Sequence, residues 1–280
     1  MTGFVRRRSF GPYMIDRSST LRASVFAVFG LLCAAEGFAA ERSRSGLLAL
    51  YDFSEPGGAV IKDVSGAGQP ANLRITNPKA VNWTPGALEV HDKTLIRSER
   101  PATRISDAVR VSGRFTVEAW VRPAATDQSG PARIVTLSPN GSQRNFTLGQ
   151  DGNKFDVRLR TTQTTDNGIP STSSLERSLT TNLTHVVFTR DRNGRTRLYL
   201  DGKLSVERTQ ESTTVNWDGS YRLGLANEFS NDRPWRGTYR LVALFNRDLL
   251  PHEVERHFQA GPSPGATPAL AGQTSPEELA

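Results

Sequence analysis

From Gly113 to Pro123 the chain reads G-R-F-T-V-E-A-W-V-R-P, a strict two-residue alternation that sets Phe115, Val117, Ala119 and Val121 on one face. The other face carries Thr116, Glu118, Trp120 and Arg122, so the pattern predicts a strand with a core on one side and something more polar on the other. Such a strand is not stable alone. Arg133–Ser138, Asn145–Gln150 and Phe155–Thr161 alternate in the same way, the last two joined across Asp151-Gly152-Asn153. Leu183–Arg190 and Arg195–Asp201 meet across Arg192-Asn193-Gly194, where Asn-Gly is a strong hairpin signal. Lys203–Arg208, Tyr221–Asn227 and Trp235–Phe245 follow, and Leu47–Phe53, Asn72–Thr76, Ala87–Val90 and Thr94–Arg97 precede, with a loop over Arg100–Arg110. Short apolar runs cut by turn residues at close spacing predict an all-β protein of two antiparallel sheets.

Helical period appears only near the end of this body. Pro251, Glu253 and Glu255 suit a helix N-terminus, and Leu250, Val254 and Phe258 share a face, which predicts one short helix over Leu250–Gln259. Residues 261–280 have no periodicity and many prolines, as a disordered tail does.

At the other end, Arg6, Arg7, Arg8, Arg17 and Arg22 precede an apolar run from Ala23 to Ala35, and small residues follow at Gly37, Ala39 and Ala40. This layout predicts a signal peptide over 1–40, cleaved after Ala39 or Ala40, with Met14 as an alternative start to Met1. The run is too short to cross a bilayer as a helix, which takes roughly 20 residues. The expected mature protein is therefore extracytoplasmic (periplasmic, cell-envelope or secreted), with no membrane span. Cys33, the only cysteine, leaves with the leader, so neither a disulfide nor a thiolate-bound zinc is expected.

Formal charge is +7, of which the first 40 residues carry five Arg against Asp16 and Glu36, leaving a mild +4 on the remainder. No dense Lys/Arg block with interleaved aromatics occurs, so nucleic acid is not an expected partner.

Five segments stand in a telling order: L-A-L-Y-D-F-S-E with K-D-V-S-G-A-G, W-T-P-G-A-L-E-V, F-T-V-E-A-W-V-R-P, T-H-V-V-F-T-R-D-R-N-G-R-T-R-L-Y-L-D-G and Y-R-L-V-A-L-F-N-R-D-L-L-P-H-E-V. Over about Gly46–Gln259 the chain resembles the laminin-G-like (concanavalin A-like lectin/glucanase) domain of bacterial exported proteins. The resemblance implies a two-sheet antiparallel jelly-roll sandwich over 41–260, a sugar- or protein-binding role and, commonly, a structural calcium. It does not supply a ligand.

Hydrolases on such sandwiches place paired carboxylates on alternate strand positions, roughly 5 Å apart in retaining enzymes. Glu118 stands alone on its strand, and Asp156 alternates with Arg158 and Arg160, so the expectation is a non-catalytic module, with a glycoside hydrolase or a purely structural envelope component as alternatives. His252-Glu253-Val254-Glu255-Arg256-His257 has the second histidine five residues on instead of four, which takes it off a shared metal-binding face; a solvated capping turn is expected, with His185 isolated. For calcium the candidates are Asp63 and Glu55 around a glycine-rich loop, with Arg240 as a charge that replaces the ion; the alternative is that Asp63 caps a turn. For carbohydrate or an extracytoplasmic protein partner, Glu118, Trp120, Asp156, Arg158, Arg160, Arg197 and Tyr199 are the candidates, provided their strands are neighbours; a solvated face of paired charges is the alternative.

Overall fold

A computed structural model describes residues 41–262. The predicted leader and most of the predicted tail lie outside them. The first strands are β1 (Leu47–Tyr51), β2 (Val60–Ile61), β3 (Leu73–Ile75), β4 (Val81–Thr84), β5 (Ala87–Val90) and β6 (Ile96–Ser98), followed by helix α1 (Thr103–Ser112). The middle supplies β7 (Phe115–Pro123), β8 (Ala132–Ser138), β9 (Phe146–Asp151), β10 (Lys154–Leu159) and β11 (Thr172–Ser173). Then come β12 (Thr184–Arg190), β13 (Arg195–Leu200), β14 (Lys203–Thr209), β15 (Arg222–Leu225), β16 (Gly237–Phe245) and helix α2 (Pro251–Gln259).

The strands form two antiparallel sheets. One runs β14-β13-β12-β7-β16-β5-β4 with β1 also on β16, and the other runs β11-β10-β9-β8-β15-β6-β3-β2. β7 is central in the first, with Val117 opposite Phe188 of β12 and Leu244 of β16. Its alternation is used as expected: Phe115, Val117, Ala119 and Val121 are fully buried between the sheets, and Phe115 packs on Phe146 at 4.7 Å and on Trp217 at 5.2 Å between ring centroids. The Phe and Val side chains each contribute about 1.5–3 kcal/mol through burial.

The other face of β7 differs from expectation, because Thr116 and Glu118 are also fully buried and Trp120 is nearly so. Helix α2 covers Glu118 and Trp120, and the connection before it covers Thr116, whose hydroxyl bonds the Arg247 carbonyl and the Leu249 N–H. The helix's apolar stripe, Val254 and Phe258, lands on Leu50, Trp120, Val187, Leu241 and Phe245, and the Trp120 and Phe258 rings stack within 8° of parallel. The helix is fastened at its start, where Glu253 accepts the Leu250 N–H at 2.9 Å and pairs with both arms of Arg247 at 2.7 and 2.8 Å.

A second helix corrects the loop expected over Arg100–Arg110 and the single-helix reading. α1 has a β-branched sequence of low intrinsic propensity, so packing of Ile105 and Val109 into the core sustains it. It ends where Gly113 adopts φ 65° and returns its N–H to the Val109 carbonyl at 2.9 Å.

Candidate functional site

Glu118 is the centre of a buried polar knot. Its Oε1 meets His185 Nε2 of β12 at 2.9 Å and the Arg42 guanidinium, and its Oε2 meets His257 Nδ1 of α2 at 2.8 Å. The tautomers follow from the partners. Ser43 donates its backbone N–H to His257 Nε2 at 2.9 Å, so the His257 proton sits on Nδ1 and points at Glu118. His185 likewise donates from Nε2, while its Nδ1 has no partner. One carboxylate thus meets one guanidinium and two imidazole N–H donors. Burial pushes the Glu118 carboxyl up, but the Arg42 charge and the bonds from His185 and His257 outweigh it and hold it well below the usual carboxylate range. Every Glu118 oxygen is engaged, none reaches solvent, and no second carboxylate joins the knot, so Glu118 is placed as a structural anchor.

Glu228 anchors a second knot against the other sheet. Arg133 Nε donates to its Oε2 at 2.8 Å, Arg144 Nη1 lies 3.7 Å from the same oxygen, and Ser138 donates to Oε1. All three charged side chains are fully buried. Burial, with the like charge of Arg133, pulls the Arg144 guanidinium down to about 9 against the pull of Glu228. Arg133 Nη2 and Arg144 Nε are left without partners.

The seven residues expected to form one ligand face are not brought together. Glu118, Trp120, Arg197 and Tyr199 lie on the outer side of the first sheet, whereas Asp156, Arg158 and Arg160 belong to the strand and edge of the second. Glu118 and Trp120 are beneath α2, and Tyr199 is buried in the same apolar cluster. Arg197 pairs across strands with Glu207 at 2.5 Å. On the other sheet Arg158 meets Asp156 at 3.3 Å and Asn167 at 3.1 Å, and Arg160 meets Asp166 at 2.8 Å. These are paired charges on opposite sides of the sandwich, because the strands that carry them were never neighbours.

Nor do Asp63 and Glu55 fit calcium. Asp63 Oδ1 accepts N–H groups of Leu50 at 3.1 Å and Ser65 at 3.0 Å, Oδ2 accepts that of Ala71 at 3.0 Å, and Arg104 stands 3.7 Å away. Glu55 Oε1 accepts the Lys62 N–H at 2.6 Å, leaving Oε2 as one free oxygen where calcium takes about 6–8. Asp63 clamps its loop, and the guanidinium beside it comes from Arg104, not from Arg240.

A concave site does exist elsewhere. A cleft of about 300 Å³ lies where the β10–β11 edge of one sheet faces β12, β13 and β14 of the other. It is lined by the apolar Val157, Leu159 and Phe188 and by the hydroxyl-bearing Thr161, Thr164 and Thr172, the Thr161 and Thr164 hydroxyls being bonded within their own loop. Pro170, Arg208 and Gln210 are exposed at its rim, while Arg190 is buried in its wall. The volume is at the low end of small-molecule sites, roughly 300–1,000 Å³.

The family profile described as Concanavalin A-like lectin/glucanases superfamily matches residues 98–255, more than half of the chain. The chain belongs to this superfamily. No curated protein matches it in sequence. Among solved structures, domain 4 of AbnA, an extracellular GH43 arabinanase of Geobacillus stearothermophilus, in complex with arabinotriose, is similar at 19% identity and TM-score 0.55, covering 75% of this chain and 96% of that one. The binding domain of botulinum neurotoxin DC, in complex with rat synaptotagmin II, gives 13% identity and TM-score 0.56 over 78% of this chain and 52% of that one. Trypanosoma rangeli sialidase gives 16% identity and TM-score 0.54 over 77% of this chain, which spans only 33% of the sialidase chain. At these identities the shared property is the concanavalin A-like sandwich.

Three functional placements escaped the sequence. His257 was expected in a solvated turn, yet it lies three residues after Val254 on the helix face that packs down, and that spacing was the available signal. His185 alternates with Val187 on the side α2 covers. Arg190 continues the phase of Val186 and Phe188, which marks it as pointing between the sheets.

Proposed function

We propose that the chain is an exported, non-catalytic carbohydrate-binding module. What supports this reading is the character of the cleft: apolar side chains, hydroxyl-bearing side chains and guanidinium groups, with no Asp or Glu among its lining residues. Such a surface suits the C–H faces and hydroxyls of sugar rings and offers no acid–base pair for cutting a glycosidic bond. Its small concave shape favours one or two sugar rings over a protein surface, which takes roughly 800 Å² from each partner. Export rests on the leader pattern, and among the described residues no helix is long and apolar enough to cross a membrane. A glycan array probed with the full chain, followed by a reducing-end assay on whatever binds, tests both halves. Binding without release of reducing ends is expected. Release would make it a hydrolase, and an empty array beside capture of an envelope protein would make it a protein-binding module. N-terminal sequencing of exported protein is expected to start near Glu41.

A further inference from the structure

We propose that the cleft selects a sugar that carries a carboxylate, whose charge is met by Arg208 at the rim and Arg190 in the wall; this rests on the carbohydrate-binding reading. Strand register builds the pair. Arg190 of β12 lies opposite Thr196 of β13, and Thr196 opposite Arg208 of β14, so the three form one cross-strand row. The row is in phase with Phe188, Leu198 and Val206, which contribute to the intersheet core, and it therefore faces the gap between the sheets.

Both guanidinium groups lack a carboxylate partner among the described residues. Arg190 spends its donors on the carbonyls of Gly113, Asp191 at 3.0 Å and Ser212 at 2.6 Å and on the Ser212 hydroxyl at 3.2 Å, and its Nε is buried with no acceptor. Arg208 Nη1 donates only to the Ser171 carbonyl at 3.0 Å, across the mouth of the cleft. The acid nearest in sequence, Asp191, turns its Oδ1 to the Asn193 and Arg195 N–H groups at 2.9 Å each. Burial consequently pulls the Arg190 guanidinium below its usual value, with Asp191 only opposing. Elsewhere among the described residues the buried Arg133 and Arg144 have Glu228, and the half-buried Arg42 has Glu118. Among the described residues no anion stands against the two cations of the cleft, and a buried charge without a counter-charge is costly. A ligand carboxylate would supply it through charge-assisted bonds. The apolar and hydroxyl-bearing side chains beside the two cations indicate a ring with hydroxyls and not a bare anion.

The test is calorimetric titration of the full chain with a galacturonate oligomer, the matched galactose oligomer, and acetate and sulfate as anions without a ring. The acidic oligomer is expected to bind at least about ten-fold more tightly than the neutral one, and to weaken as salt is raised, through screening. Arg208→Gln, an exposed edge change that should leave the melting temperature in place, is expected to erase that advantage, bringing the acidic oligomer to the affinity of the neutral one. Equal affinity for the two oligomers would overturn the carboxylate inference and leave the carbohydrate reading standing. Acetate or sulfate binding as tightly as the oligomer would make the cleft an anion site and overturn the sugar class. Acidic binding that survives Arg208→Gln would move the site off this cleft, and failure of every oligomer would overturn both readings.

Discussion

Glu118 and Glu228 are both fully buried, but the first meets one guanidinium and two imidazole N–H groups, whereas the second meets two guanidinium groups and a hydroxyl. Around Glu118 the charges cancel. Around Glu228 one positive charge is left over; burial pulls both guanidinium groups down, and at Arg144 the like charge of Arg133 adds to it. The two knots also join different things. Glu118 ties the segment before β1 and helix α2 to the centre of the first sheet, since Arg42 also donates to the carbonyls of His257 and Gly261. Glu228 fastens the loop after β15 onto β8 through Arg133 and Ser138. In a buried ionic cluster, then, the count of cations decides which member is indispensable.

The largest effect is expected at Glu228. Glu228→Gln removes the one anion that serves two buried cations, so it should cost at least the roughly 3–5 kcal/mol typical of one broken buried pair. Urea unfolding at neutral pH measures it, and a loss under about 1 kcal/mol would mean that the guanidinium groups have other partners.

Glu118→Gln is expected to cost somewhat less, about 3 kcal/mol, because only Arg42 is left unpaired. It also has a pH signature. The folded Glu118 carboxyl is held well below its unfolded value, so its contribution is complete above the unfolded carboxyl pKa of about 4.3 and is lost as pH falls through the lower folded value. The gap between wild type and variant should accordingly be constant from neutral pH down to about 5 and narrow in stronger acid. A constant gap down to the lowest measurable pH would break the assignment of Glu118 as an ionised anchor.

How much of this was legible follows from what alternation encodes. The period of β7 identified its core face, because Phe115, Val117, Ala119 and Val121 leave no other register. Period says nothing about what covers the second face. Trp120 between Glu118 and Arg122 was a hint that part of that face is dry, and the apolar stripe of α2 needed a surface to land on, but pairing the two requires the fold. The same limit scattered the expected ligand residues: alternation put Arg158 and Arg197 on polar faces correctly and could not tell that the faces belong to different sheets. Glu118, His185 and His257 are far apart in the chain, so no spacing rule joins them. Asp63 was half legible, since its place in a glycine-rich turn suggested both a clamp and a cation ligand, and only the three N–H donors decide for the clamp.

Removing a cation should separate the knots further. Arg42→Met strips Glu118 of its guanidinium partner and leaves the carboxylate with the His185 and His257 N–H groups. The cost is expected to be about 1–3 kcal/mol, read from urea midpoints at neutral pH.

Arg144→Met should do the least, although Arg144 is as buried as Arg133. Arg133 touches Glu228 at 2.8 Å while Arg144 stands 3.7 Å away, so the pair that matters survives the change. What is lost is a bond to Thr147 at 3.0 Å and one to the Gly141 carbonyl; what is relieved is the repulsion from Arg133 and an Nε without an acceptor. A hydrogen bond contributes about 0.5–1.5 kcal/mol net, and replacing a buried charge by an apolar side chain of similar volume is often neutral or stabilising by about 1–4 kcal/mol. The two sides nearly cancel, and the expected change is within about 1 kcal/mol in either direction. In the same background Arg133→Met should cost several-fold more, because it leaves Glu228 with the distant cation only. Equal losses for the two variants would show that Glu228 holds both arginines alike, and the surplus positive charge would then be part of the anchor.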